Sequence, residues 1–100
     1  MLSVEYEVIK SATFLNWLEG LRDRSVQARI AIRIDRIEEG NFGDHRSVGG
    51  GVSEIRVNVG QGYRIYYTIR NRIAVILLCG GDKSSQRQDI RRARQMASEL

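Results

Sequence analysis

Apolar and polar residues alternate at the start of the chain, with Leu2, Val4, Tyr6 and Val8 on one face and Ser3, Glu5 and Glu7 on the other. A period of two is that of a strand with one buried face. The period then changes. Phe14, Leu15, Trp17, Leu18 and Leu21 recur at helical spacing, with Ser11 placed as N-cap and Gly20 as the break. A second helix is predicted from Asp23 to Glu39 and is stopped by Gly40. Val26, Ile30, Ile34 and Ile37 form its apolar stripe, and Arg29, Arg33 and Arg36 share an adjacent face. Two helices joined by a short turn make a helical hairpin.

Residues 41–51 read as a loop that ends in the triplet Gly49-Gly50-Gly51. Three strands are predicted next, over 54–59, 63–69 and 73–79. Ile55, Val57 and Val59 alternate with Glu54, Arg56 and Asn58; Ile65, Tyr67 and Ile69 alternate with Arg64, Tyr66 and Thr68. The turn Gly60-Gln61-Gly62 joins the first two, and Gly80-Gly81 is expected to end the third, which is apolar on both faces. Ser85 with Gln88 offers a capping box for a last helix whose inner side is Ile90, Ala93, Ala97 and Leu100. The expected fold class is α+β, with a helical hairpin packed on one face of a mostly antiparallel four-stranded sheet and a C-terminal helix. In that arrangement Trp17, Leu18, Ile30, Ile34, Ile65, Tyr67, Val75 and Leu77 are buried, while the opposite sheet face displays Arg56, Arg64 and Tyr66.

One hundred residues make one domain, 1–100, and leave no length for a second. Charge changes the picture more than length does. Sixteen Lys and Arg against twelve Asp and Glu give a net charge of +4, and fourteen of the cations are Arg. The second half of the chain holds nine cations and four anions, a net of +5, and the first half seven and eight, a net of −1. A domain basic in one half has an electrostatic footprint for a polyanion, although a solvated basic face without a partner has the same composition. Cys79 is alone in an apolar run, so no disulfide forms within the chain, as expected in a reducing cytoplasm. The opening MLSVEYEVIK has acidic residues where a secretory leader needs a cationic start, and no run reaches a membrane span, so the predicted location is cytoplasmic with no membrane partner.

The sequence contains no GxxxxGK[ST] loop, no HExxH, no paired cysteines and no GxSxG elbow. A lone His45 in a loop is no metal site, and neither metal nor cofactor is expected. The segment GVSEIRVNVGQGYRIYY, residues 51–67, stands apart. If its two strands pair through the glycine turn, Arg56 and Arg64 project from one face with Tyr66. Two guanidiniums and a phenol there suit a phosphate clamp and a stacked base, and equally suit ordinary cross-strand contacts.

That segment, followed by ILLCGGDKSSQRQDIRRA at residues 76–93, resembles the addiction-module killer proteins, a HigB-like branch of the RelE/ParE superfamily of type II toxins. The resemblance extends to FLNWLEGLRD and EEGNFGDHRSVGGGVSE, hence over essentially the whole chain. It implies a RelE-like domain that cleaves ribosome-bound mRNA without metal. It also implies neutralisation by a cognate antitoxin, usually a helix-turn-helix protein encoded by the adjacent gene. The family pattern places Arg64 against the scissile phosphate, Lys83 beside it and Arg56 on the strand before the turn, as catalytic candidates. Tyr66, Arg46 and Arg87 are the RNA-binding candidates. RelE-type enzymes use a Tyr near the C-terminus, whereas this sequence has none beyond Tyr67, which leaves the general acid and base unassigned. ParE-type toxins of the same superfamily bind DNA gyrase and cut no RNA, so gyrase is the alternative partner.

Overall fold

The computed structural model describes residues 5–100, so the alternation expected at Leu2, Ser3 and Val4 lies outside the described residues. In chain order come β1 (Glu7–Lys10), α1 (Ala12–Glu19), α2 (Arg24–Glu38), β2 (His45–Gly49), β3 (Val52–Val57), β4 (Tyr63–Arg70), β5 (Ala74–Asp82), a 3-10 turn at Lys83–Ser85 and α3 (Gln86–Ser98). The helical hairpin forms where its caps and stripe place it. The Ser11 hydroxyl accepts from the Phe14 N–H at 3.0 Å and donates to the Leu78 carbonyl at 2.7 Å, so this cap also ties α1 to the sheet. The Asp23 carboxylate caps α2; the Ser25 hydroxyl, then the Ser25 and Val26 N–H groups, hold its carboxyl below the usual range.

Among the described residues the sheet has five strands in the order β1-β5-β4-β3-β2, with β1 parallel to β5 and every other pairing antiparallel. The expectation of four strands missed β2, which lies in the segment read as a loop. An edge strand needs no alternating apolar residues, and in β2 only Val48 turns inward. The triplet Gly49-Gly50-Gly51 is the hairpin turn between β2 and β3, with φ of 88°, 64° and 75° in sequence, a run that side chains strongly resist. The second correction concerns Gly80-Gly81. They do not end β5, which runs on to Asp82. A Cβ on Gly80 would enter the Trp17 indole, and one on Gly81 would meet the Asp89 carboxylate and the Ser85 hydroxyl. The two glycines let one helix approach the strand from each side.

Helices α1 and α2 cover one face through Phe14, Val26, Ile30, Ile34 and Ile37 against Ile55, Ile65, Tyr67, Val75 and Leu77. Trp17 and Leu18 are half-buried at the margin of this layer, where full burial was expected. The other face is not left open. Ala93 and Ala97 of α3, with Ile90 and Met96, pack on Val52, Tyr66, Leu78 and Cys79. Small side chains on the inner side let α3 lie close to the strands, which gives a three-layer domain with a sheet buried on both faces. Arg70 fastens the far end of α3 by donating to the Ala97 carbonyl at 2.8 Å, and Arg94 donates to the Val48 carbonyl of β2. Leu100 lies beyond the last turn and is 63% exposed, contrary to its expected place on the inner side. Nor does Ser85 form the expected capping box. Its hydroxyl donates to the Asp89 carboxylate at 2.6 Å instead.

Candidate nucleic-acid interface

Strand pleat decides which side chains meet at the open end of the sheet. Arg46, Glu54, Arg56, Arg64 and Tyr66 all point to the α3 face, because neighbours two apart on a strand share a face. The register sets Arg46 opposite Glu54, Glu54 opposite Tyr66, and Arg56 opposite Arg64. Helix α3 covers the Tyr66 row and begins at Gln86, so its first turn stands over Glu54 and leaves the arginine row at the rim.

The result is a carboxylate with no exposed surface surrounded by three guanidiniums. Arg46 Nε is 2.7 Å from Glu54 Oε2, Arg56 Nε is 3.6 Å from the same oxygen, and Arg64 Nε is 3.6 Å from Oε1. Gln86 Nε2 donates to Oε1 at 3.2 Å. The arginine side chains are 52%, 39% and 11% exposed in that order. Three positive charges around one negative leave a surplus of two, and the Nε groups of Arg56 and Arg64 are buried without a hydrogen-bond partner among the described residues. The arrangement has the surplus charge to hold a further anion.

Of the residues singled out from sequence, the fold brings Arg46, Arg56 and Arg64 together. Lys83 is exposed in the turn that follows Asp82, with its stem over Gly62 at the β3–β4 turn. Asp82 pairs across the strands with Tyr63, the neighbour of Arg64, so Lys83 extends the basic rim without joining the Glu54 cluster. Arg87 is exposed one residue into α3, lining a shallow hollow with Lys83, Gln86 and Arg91. The Ser84 hydroxyl and then its N–H hold the Asp82 carboxyl below the usual range, and Gln61 donates to the same carboxylate at 3.1 Å.

Tyr66 does not belong to the surface. It is fully buried under α3, its hydroxyl has no partner among the described residues, and burial first, then the Glu54 and Asp89 carboxylates, push its pKa far up. A base cannot stack on it while α3 is in place. Alternation put Tyr66 on the correct face, and only the docking of α3 removed it from reach. His45 projects to the opposite side of β2, where its ring lies 5.7 Å from Phe42 and its Nδ1 is 2.8 Å from the Gly43 carbonyl. The residue missed by sequence reasoning is Glu54. Its signal was present, since an acidic side chain in the alternation position shared with Arg56 and Arg64 is where a carboxylate would balance them. Among the described residues no helix is long and apolar enough to cross a membrane.

The family model described as "Phage derived protein Gp49-like" matches residues 16–98. An uncharacterized protein of Haemophilus influenzae is 47% identical over 94 residues, covering 94% of this chain and 95% of that protein. Among solved structures, a mutant of the E. coli toxin RelE in the free state matches with a TM-score of 0.71 at 12% identity, covering 93% of this chain and 97% of its own. The toxin–antitoxin complex RelBE2 of Mycobacterium tuberculosis contains a chain that matches at 0.65 and 19% identity, covering 80% of this chain and 100% of that one. At these identities the structural matches establish the fold, which is RelE-like.

Proposed function

The chain belongs to the Gp49-like family, and from that premise we propose that it is the toxin of a type II toxin–antitoxin module, a ribosome-dependent mRNA endoribonuclease. The observation that carries the proposal is the cluster of Arg46, Arg56 and Arg64 at the rim of the sheet, two charges in excess of Glu54. The RelE-like fold supports it, since the matched structures are a toxin and a toxin–antitoxin complex.

In the proposed reaction the 2′-oxygen forms a bond to phosphorus, the bond from phosphorus to the 5′-oxygen breaks, and a cyclic phosphate is left. One proton leaves the 2′-hydroxyl and one reaches the departing oxygen. Charge accumulates on the phosphoryl oxygens, and fixed guanidiniums at the phosphate stabilise it where water would have to reorganise. Arg64 and Arg56 take that role from the strand ends, and Lys83 and Arg87 guide the adjoining phosphates. Alignment of the message is left to the ribosome, which is consistent with a site rich in phosphate donors and poor in bases.

The partner we infer is an antitoxin with an acidic or amphipathic segment that covers the Arg46–Arg56–Arg64 rim, encoded by the adjacent gene. One observation favours a second reading. With Tyr66 buried and His45 on the other face, neither Tyr66 nor His45 stands by the guanidiniums as acid or base. A binding protein that inhibits DNA gyrase needs neither. Brief induction in growing cells separates the two: mapped 5′ ends within ribosome-bound messages are the expected result. Intact messages with gyrase-dependent DNA breaks would transfer the assignment to gyrase. Co-expression of the adjacent gene is expected to restore growth.

A further inference from the structure

The sheet register sets Arg56 directly opposite Arg64, an unfavourable pairing of like charges unless an anion intervenes. Glu54 is that anion, one pleat along on the same face and between the strands that carry Arg46 and Arg64. We propose that Glu54 is the positioning residue of the phosphate site, holding the three guanidiniums by their Nε edges and taking no part in proton transfer. The proposal rests on reading this rim as the place where an RNA phosphodiester binds.

Three observations lead to it. First, the Glu54 carboxylate has no exposed surface and both of its oxygens are engaged, Oε2 by Arg46 and Arg56 and Oε1 by Arg64 and Gln86. With no exposed surface it is out of reach of a substrate hydroxyl, so it is not placed as a general base. Second, in all three ion pairs the atom nearest the carboxylate is Nε. An arginine held by its Nε edge still has the terminal NH groups of its planar fork for a second anion. Third, the Arg56 and Arg64 Nε groups are buried, 3.6 Å from the carboxylate and without hydrogen bonds. These Nε groups face the carboxylate and not the solvent, so the donors left for an arriving anion are the terminal NH groups.

The test compares wild type with Glu54→Gln and Glu54→Asp as intact proteins. Cleavage of a defined message on purified ribosomes, affinity for a labelled single-stranded RNA, the pH profile of the rate, and the ¹⁵Nε–¹H signals of the arginines are all measured. Wild type is expected to show dispersed, slowly exchanging Nε signals, which collapse toward those of free arginine in Glu54→Gln. The turnover rate of Glu54→Gln should fall by about 10–100-fold, the loss that misplaced groups bring. RNA binding should hold or tighten, since a negative charge has gone. The pH profile should keep its shape, and Glu54→Asp, with charge kept and reach shortened, should lie in between. Loss of the acid limb in Glu54→Gln would make Glu54 a proton carrier and overturn the proposal, as would Nε signals unchanged by the substitution. Should Glu54→Gln fail to fold, Gln86→Ala takes its place, and undisturbed Nε signals of Arg64 there would overturn the proposal too. A wild type that cuts no message while its Nε signals respond to Glu54 as described refutes the nuclease reading and leaves the positioning role standing.

Discussion

Replacing Arg64 is the most direct probe of the site, because its stem is buried and its charge lies at the rim. In Arg64→Ala the Glu54 carboxylate keeps Arg46 at 2.7 Å and Gln86 at 3.2 Å, so it is not left bare in the protein. Leaving a buried charge without any partner costs about 3–5 kcal/mol, and with Arg46, Arg56 and Gln86 retained the loss should stay well below that. The midpoint of thermal unfolding is therefore expected to drop by only a few degrees. Catalysis should suffer far more. A positive charge about 4 Å from a phosphate contributes on the order of 4 kcal/mol at an effective dielectric of about 20. Removing one pre-organised donor from such a site typically lowers the rate by about 10²–10³-fold. Arg64→Lys keeps the charge but loses both the fork and the Nε that faces Glu54 at 3.6 Å. A charged hydrogen bond is worth about 1.5–3 kcal/mol, so the lysine variant should be about 10–100-fold slower. The assay is primer extension on a defined message bound to purified ribosomes, with growth arrest on induction as the cellular counterpart. Folded Arg64→Ala that cleaves at the wild-type rate would refute the site. Arg64→Lys at the wild-type rate would refute the bidentate geometry and leave a role for charge alone.

Tyr66→Phe removes a buried hydroxyl that has no partner, so stability should hold or rise by up to about 1 kcal/mol, and message cleavage should be unaffected; a tenfold loss of cleavage would return Tyr66 to the RNA contact. Gly81→Ala drives a Cβ into the Asp89 carboxylate and the Ser85 hydroxyl at the start of α3. It should cost about 1–3 kcal/mol by thermal melting, and an unchanged midpoint would mean that α3 is not held as described. Asp23 and Asp82 have carboxyls held below the usual value near 3.8 by hydrogen bonds from Ser25 and Ser84. Their contribution to stability is complete above the unfolded value and is lost as pH falls through the lower folded values. The double variant Asp23→Asn/Asp82→Asn should thus lose less stability than wild type in an acid titration, and parallel curves would contradict this. Burial pushes the Cys79 thiol up to about 11, so alkylation at neutral pH should be slow in the folded protein and fast once it unfolds, and fast labelling of the native state would contradict its burial.

Much of this architecture can be read without a structure. The α1–α2 hairpin follows from a 3.6-residue stripe bounded by Ser11, Gly20 and Asp23, whose capping and breaking act through neighbours a few residues away. Strands β3 and β4 follow from the period of two, as does the fact that Arg56 and Arg64 share a face, and β5 follows from a run apolar on both faces. The RelE-like fold expected from the paired GQGYR and GGDKSSQ segments is the fold observed. What the sequence could not determine is what lies on each face. Strand β2 carries no alternation because it is an edge, and β5 passes through Gly80-Gly81 because Trp17 and Asp89 need that space from opposite sides. Tyr66 is buried because α3 returns over the sheet, and Glu54 becomes the centre of the site because β2 and β4 flank β3 and the first turn of α3 closes above it. Periodicity is a property of one segment and assigns each side chain to a face. Burial and ion pairing depend on which segments, distant in the chain, the fold places against that face.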